Sequence, residues 1–245
     1  MVKSLPAALA LLGLGACVSG PTVLVTAPAR EPVSNLDAMA PGQTELSGSL
    51  GVSLYADDKT VAVYPLDLPT LGSPWTLAAA HSVGPVELRG AYNRSLLWDQ
   101  GNVGVGLRLP SPGPWDFVVD GGYAFGGYAG SYSVGEEDDA REVPYAYRMH
   151  APYGRARVVR SVGDILSVVG ALRVAHAWTQ PVEGVSAQNM EQQTFPELSL
   201  GLVHSAPKTC LQVGVGGHYV PVEQVHSVQL QGALSCAFDV GSWRR

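Results

Sequence analysis

The side chains able to serve as nucleophiles, bases or metal ligands are few and scattered. The histidines, His81, His150, His176, His204, His218 and His226, have neither HExxH spacing nor a CxxC partner, so no metal site is expected. Ser82, Ser205 and Ser227 adjoin histidines, but neighbours on a strand point to opposite faces, so no such dipeptide sets a base on its own hydroxyl. No catalytic motif is present and no cofactor is implied. The chain is expected not to be an enzyme, with a site assembled from distant strands as the alternative. Glu136-Glu137-Asp138-Asp139 is the densest charge run; it lacks the spacing of a calcium loop and is expected to be a solvated loop.

Cys17, Cys210 and Cys236 are the remaining reactive groups. An oxidising compartment could bridge the last two. Cys210, however, falls on the polar parity of its predicted strand and Cys236 on the apolar parity of its own. Regular pairing would send the sulfurs to opposite faces, so free thiols are expected unless a bulge or a misplaced strand intervenes.

The amino terminus reads as an export signal. Lys3 supplies positive charge, Leu5 to Leu14 an apolar core too short for a membrane-spanning helix, and Leu14-Gly15-Ala16-Cys17 a small-residue end. That tetrapeptide resembles the lipobox of bacterial lipoproteins. The resemblance implies a signal peptide over residues 1–16 and a diacylglycerol on Cys17, and Val18 in place of Asp implies the outer membrane rather than retention at the inner one. Ordinary cleavage near Ala16 is the alternative. Residues 17–42, with Pro21, Pro28, Pro32 and Pro41 and no sustained period, read as a lipidated, flexible tether.

The elements that must position everything else start at Gln43. Glycine (29) and proline (18) are plentiful, only 15% of residues are charged, and the net charge is -6 without a basic run, which favours short strands and excludes nucleic-acid binding. Apolar and polar residues alternate with period two over Thr44 to Tyr55, Val86 to Asn93, Val103 to Leu109, Trp115 to Tyr128 and four later stretches. Trp75 to Val83 is weak, and Tyr145 to Arg160 carries arginines on both parities, predicting a bulge near Pro152. These stretches predict an all-β, antiparallel up-and-down barrel of about ten strands over residues 43–245, with eight as the alternative.

Short turns at Val83 to Pro85, Pro110 to Pro114, Ser161 to Asp164 and Ser205 to Lys208 alternate with longer connections at Ala56 to Pro74, Arg94 to Gly101, Ala129 to Val143 and Thr179 to Gln193. With aromatics such as Tyr92, Trp115, Tyr123, Trp178 and Tyr219 near strand ends and Phe238 near the last, the pattern resembles bacterial outer-membrane β-barrels, although Asp239 to Arg245 follow that phenylalanine. The resemblance implies membrane-spanning strands, an apolar parity facing lipid, and lumen-lining charges at Glu45, Glu87, Arg89, Arg108, Asp116, Asp120, Arg173 and Glu197. The expected function is an outer-membrane lipoprotein barrel with a structural, binding or limited transport role, in contact with membrane lipid and meeting envelope proteins through its long loops. A narrow porin-like channel, an envelope hydrolase or lipid-modifying enzyme, and a soluble lipocalin-like carrier on the periplasmic face are the alternatives.

Overall fold

The computed structural model describes residues 30–57, 75–94, 98–111, 113–134, 141–183, 192–206, 209–222 and 225–239. Cys17, the signal segment and Glu136 to Asp139 lie outside them. Ten strands follow in order: β1 (Gln43–Asp57), β2 (Trp75–Val83), β3 (Val86–Arg94), β4 (Trp98–Leu109), β5 (Trp115–Val134), β6 (Arg141–Val162), β7 (Leu166–Glu183), β8 (Gln192–Ser205), β9 (Leu211–Val222) and β10 (Val225–Asp239). Each pairs antiparallel with the next, and β1 closes on β10 with Gln43 opposite Asp239 and Asp57 opposite Val225. The result is the expected up-and-down barrel, with ten strands rather than eight. Closure leaves no unpaired edge. Both ends of the barrel sequence, Gln43 and Asp239, share one rim with the tight connections β2–β3, β4–β5, β6–β7 and β8–β9. This rim is called the turn end, and the opposite one the loop end.

Alternation decides which face each side chain takes. The apolar parity points outward: Leu50 is 65% exposed, Leu200 60% and Leu234 58%. The other parity is buried and mixed, with Ser47, Ser49, Thr76, Asn93, Gln100, Asn102, Gln229 and Gln231 inside together with apolar residues such as Ala124, Val169, Phe195 and Val203. This is the reverse of a lipocalin-like carrier, whose apolar parity would line the cavity. Aromatics mark both ends of the outer wall. Arg160 sits over the Trp115 ring at 5.0 Å near the turn end, while Trp75 meets Tyr92 edge-on at 5.6 Å and Tyr123, His150 and Trp178 form a file nearer the loop end.

Four sequence expectations are corrected. The weak stretch Trp75 to Val83 is a regular strand with alternating burial. No bulge occurs at Pro152: β6 and β7 keep one register from Tyr147 to Val162, and the shift lies between Ala146 and Tyr147. Arg155 and Arg157 therefore share the inward parity with Tyr147, Met149 and Tyr153, while Arg148 is exposed outside. The connection expected over Ala129 to Val143 is mostly paired, since β5 runs to Val134 opposite Arg141. Finally, Cys210 and Cys236 are joined in a disulfide, with Cα atoms 4.6 Å apart. Cys210 lies in the turn before β9, where strand parity does not apply, and its carbonyl accepts a 2.9 Å hydrogen bond from the Ala237 N–H.

Candidate functional site: a filled lumen and its ring of ion pairs

The interior is occupied by the chain's own amino-terminal segment. From Arg30 to Met39 the polypeptide, expected to be part of a free tether, folds back into the barrel; Glu31 to Leu36 are all buried. Pro32 has no N–H to leave unsatisfied and starts a single 3-10 turn over Val33–Leu36, closed by the Asn35 N–H to the Pro32 carbonyl at 2.9 Å. Val33 and Leu36 pack on Val159, Val169, Ala171 and Val203 of the inner wall. The wall makes room with glycine. A Cβ at Gly201 would overlap Val33, and one at Gly214 would lie 3.0 Å from the Ser34 nitrogen.

Around this segment three guanidiniums and three carboxylates form a closed ring. Arg155 donates to Glu31 at 3.1 Å and to Asp120 at 2.7 Å, and Asp120 accepts from Arg157 at 2.8 Å. Arg157 also donates to Glu87, Glu87 accepts from Arg89 at 2.7 Å, and Arg89 returns to Glu31 at 3.7 Å. β3, β5 and β6 supply five members, and Glu31 of the inserted segment supplies the sixth. All six are buried, a placement that a charge tolerates only when paired and hydrogen-bonded. Burial alone would raise the Glu31 carboxyl, but the charges of Arg155, Arg89, Arg157 and Arg173 outweigh it and hold the group at about 2, so it stays ionised. The same arginines hold the segment's backbone. Arg89 donates to the carbonyls of Asn35 and Asp37, Arg157 to those of Leu36 and Asp37, and the Met39 N–H donates to Glu87 at 3.2 Å.

Two smaller groups flank the ring. At the turn end Arg108 donates through Nε to Asp116 at 2.9 Å and through Nη1 to the Met39 carbonyl at 3.0 Å; both side chains are partly exposed. Toward the loop end Glu197 accepts from His218 at 3.0 Å and lies 3.7 Å from Arg30 and 3.8 Å from Arg173, while Arg30 donates to the Gln229 side chain at 2.6 Å. Of the eight charges expected in the lumen, Glu87, Arg89 and Asp120 are thus in the ring, Arg108 and Asp116 form the turn-end pair, and Arg173 and Glu197 join the loop-end group. Glu45 is buried in the interior but belongs to none of these groups.

Sequence reasoning missed Arg155, Arg157, Glu31, Arg30 and His218. Parity alone could not place the first two, because the apolar Val159 shares their inward face; the register of β6 with β7 does. Nothing periodic marks Glu31.

Ser199, His218 and Glu197 also meet across β8 and β9, an association the neighbouring Ser–His pairs did not suggest. The Ser199 hydroxyl lies 2.7 Å from His218 Nδ1 and the Glu197 carboxylate 3.0 Å from the same nitrogen, with the Gln231 amide against Nε2. A nucleophile relay needs hydroxyl and carboxylate on opposite ring nitrogens. Sharing Nδ1, with all three side chains buried, makes this a packing cluster. Among the described residues no group of histidine, cysteine and carboxylate side chains is arranged to hold a metal, and no helix is long and apolar enough to cross a membrane.

No protein-family model matches the chain, and no curated protein is significantly similar in sequence. Solved structures with a similar course include the attachment invasion locus protein Ail of Yersinia pestis, at 15% identity and TM-score 0.43 over 81% of this chain and 100% of that one. The translocator domain of the autotransporter NalP from Neisseria meningitidis matches at 13% identity and TM-score 0.45, over 83% of this chain and 91% of that one. The outer membrane protease OmpT of Escherichia coli matches at 10% identity and TM-score 0.40, over 83% and 100%. At these scores the likenesses add nothing to what the strand order already establishes.

Proposed function

We propose that this chain is an outer-membrane β-barrel lipoprotein whose lumen is filled by its own amino-terminal segment, and that it serves a structural or binding role in the cell envelope without catalysis. The observation that carries the reading is the outer wall. Leu46, Leu50, Leu77, Val103, Val105, Leu172, Leu200, Leu230 and Leu234 are all exposed on the outside, while Glu87, Arg89, Asp120, Arg155 and Arg157 are buried within. Monomeric soluble proteins rarely expose apolar patches beyond a few hundred Å², whereas a closed barrel in hydrocarbon needs just such a wall and satisfies every backbone group internally. Aromatics at the two ends of that wall suit the membrane interfaces. The role of the inward charges is to neutralise one another and hold the inserted segment, which supports a filled barrel over a standing pore. Cys17 would carry the lipid, and the connections at the loop end, over 58–74, 135–140 and 184–191, would meet partners outside.

Heat-modifiable gel migration of the Cys17→Ser protein extracted from membranes tests the barrel. A folded, detergent-resistant band that shifts on boiling is expected; a protein that stays in solution without detergent refutes the membrane assignment. Incorporation of labelled palmitate that requires Cys17 tests the anchor separately.

A further inference from the structure

Among the described side chains three arginines face outward from the wall: Arg94, Arg148 and Arg160. Arg94 pairs with Asp99 at 3.6 Å, and Arg160 covers the Trp115 ring at 5.0 Å. Arg148 of β6 is exposed and, among the described residues, has neither an ion pair nor a ring contact. Asp99 stands level with it on β4, but Gly127 of β5 lies between them, and that carboxylate is already taken by Arg94 and by the Tyr92 hydroxyl at 2.8 Å.

The neighbours of Arg148 are hydrogen-bond donors and rings. Gln180 of β7 lies directly opposite it and is also exposed. His150 follows on the same outward parity, about 7 Å along the strand. Opposite His150 is Trp178, whose ring lies 5.9 Å from the imidazole at an interplanar angle of 26°. The Tyr123 hydroxyl is 2.8 Å from His150 Nδ1. A phenol that donates there leaves the ring hydrogen on Nε2, which has no partner among the described residues. A guanidinium fork, an amide and an imidazole N–H thus share one patch with no carboxylate among them.

The height of this patch selects its ligand. His150 is ten residues along β6 from Arg160, which with Trp115 marks the aromatic belt of the turn end. At about 3.4 Å per residue and a strand tilt of about 40°, that stretch climbs roughly 26 Å, close to the apolar band of about 25 Å in a membrane barrel. Arg148 therefore stands just beyond the hydrocarbon, at the level of lipid headgroups. Toward the turn end the adjoining wall is apolar and shallow. Gly121 faces Gly154 on the outward parity between Val105 and Val174, and a Cβ at Gly154 would meet nothing within 4 Å.

From this placement we propose that Arg148, His150 and Gln180 bind a membrane lipid whose headgroup carries a phosphate monoester, with an acyl chain lying over Gly121 and Gly154. A monoester offers three terminal oxygens. The guanidinium takes two of them in parallel, and the imidazole and amide donors take the third. A phosphodiester offers only two such oxygens and a single charge. The site rests on the membrane reading and gives the binding role a ligand class.

Full-length protein in detergent micelles with equimolar phosphatidic acid and phosphatidylglycerol, read by native mass spectrometry for the lipid it retains, tests the site. A roughly tenfold excess of phosphatidic acid is expected, the factor that charge-assisted hydrogen bonds supply. Arg148→Gln should abolish that excess, while Arg160→Gln, at the opposite belt, should leave it intact. Equal retention of the two lipids by the wild type overturns the inference without recourse to any variant. An excess that survives R148Q in its folded, heat-modifiable form overturns it too, as does an equal fall in both variants, which would reduce the effect to net charge. Excess inorganic phosphate should leave the lipid in place, and displacement by it would refute the lipid as ligand. A heat-modifiable barrel with no lipid preference refutes the site and leaves the membrane reading standing, whereas a protein that stays in solution without detergent refutes both.

Discussion

Replacing Glu31 with Gln should open the barrel. The substitution keeps size and polarity but removes the one ring charge that does not belong to the wall, leaving Arg155 and Arg89 without their shared partner. A carboxyl held at about 2 instead of its ordinary 4.5 corresponds to roughly 3 kcal/mol of preference for the charged form in this site. Truncating one partner of a buried pair commonly costs about 3–5 kcal/mol, which agrees. A loss near 3 kcal/mol raises the population with the segment undocked by ~100-fold. Single-channel recording in planar bilayers at neutral pH reads that population directly: wild type should be closed with rare openings, and E31Q should open far more often at unchanged unit conductance.

The sign of the pH dependence follows from the same number. A depressed carboxyl contributes its stabilisation fully above 4.5 and loses it as pH falls toward 2. Wild type should therefore gain openings on acidification through that window, while E31Q, having nothing to protonate at residue 31, should gain fewer. Indistinguishable traces for the two proteins at neutral pH would refute the claim that Glu31 fastens the segment.

Gly201→Leu should expel the segment by overlap with Val33 and raise conductance without loss of the heat-modifiable band; a closed, wild-type trace would show that the wall can yield there. Leu50→Arg, at 65% exposure in the middle of the outer wall, should destabilise the barrel by about 2–4 kcal/mol in urea titrations from lipid vesicles, whereas a soluble barrel would tolerate it. Removing the Cys210–Cys236 bridge by the double serine substitution should cost about 3 kcal/mol in the same titration and abolish the reduction-dependent gel shift. Ser199→Ala should leave reactivity toward serine-directed probes unchanged, because His218 offers the hydroxyl and the carboxylate the same nitrogen.

Legibility differed by kind of interaction. Strand pairing is written with period two, so Leu46, Leu50 and Leu54, or Val103 to Leu109, expose their strands directly. β6 blurred because Arg148 and Arg155 carry equal charge on opposite faces; only the register with β7 separates them. The bridge escaped because Cys210 sits one residue before β9, where parity ends. The lumen segment left the weakest trace. Its hold on the wall comes from backbone carbonyls and a lone carboxylate meeting arginines more than fifty residues away in sequence. Such contacts have no local period, and the prolines that shape a 3-10 turn also suit an unattached linker.

The sixth ring member precedes β1, and this bears on how the barrel closes. Within the ring the wall alone brings Arg89, Arg155 and Arg157 against Glu87 and Asp120, one positive charge in excess in a buried interior. Glu31 supplies the third carboxylate that matches the three guanidiniums of the ring. A sheet that curls around the stretch bearing Glu31 closes over a balanced ring, whereas an empty cylinder would leave a guanidinium of that ring without its carboxylate.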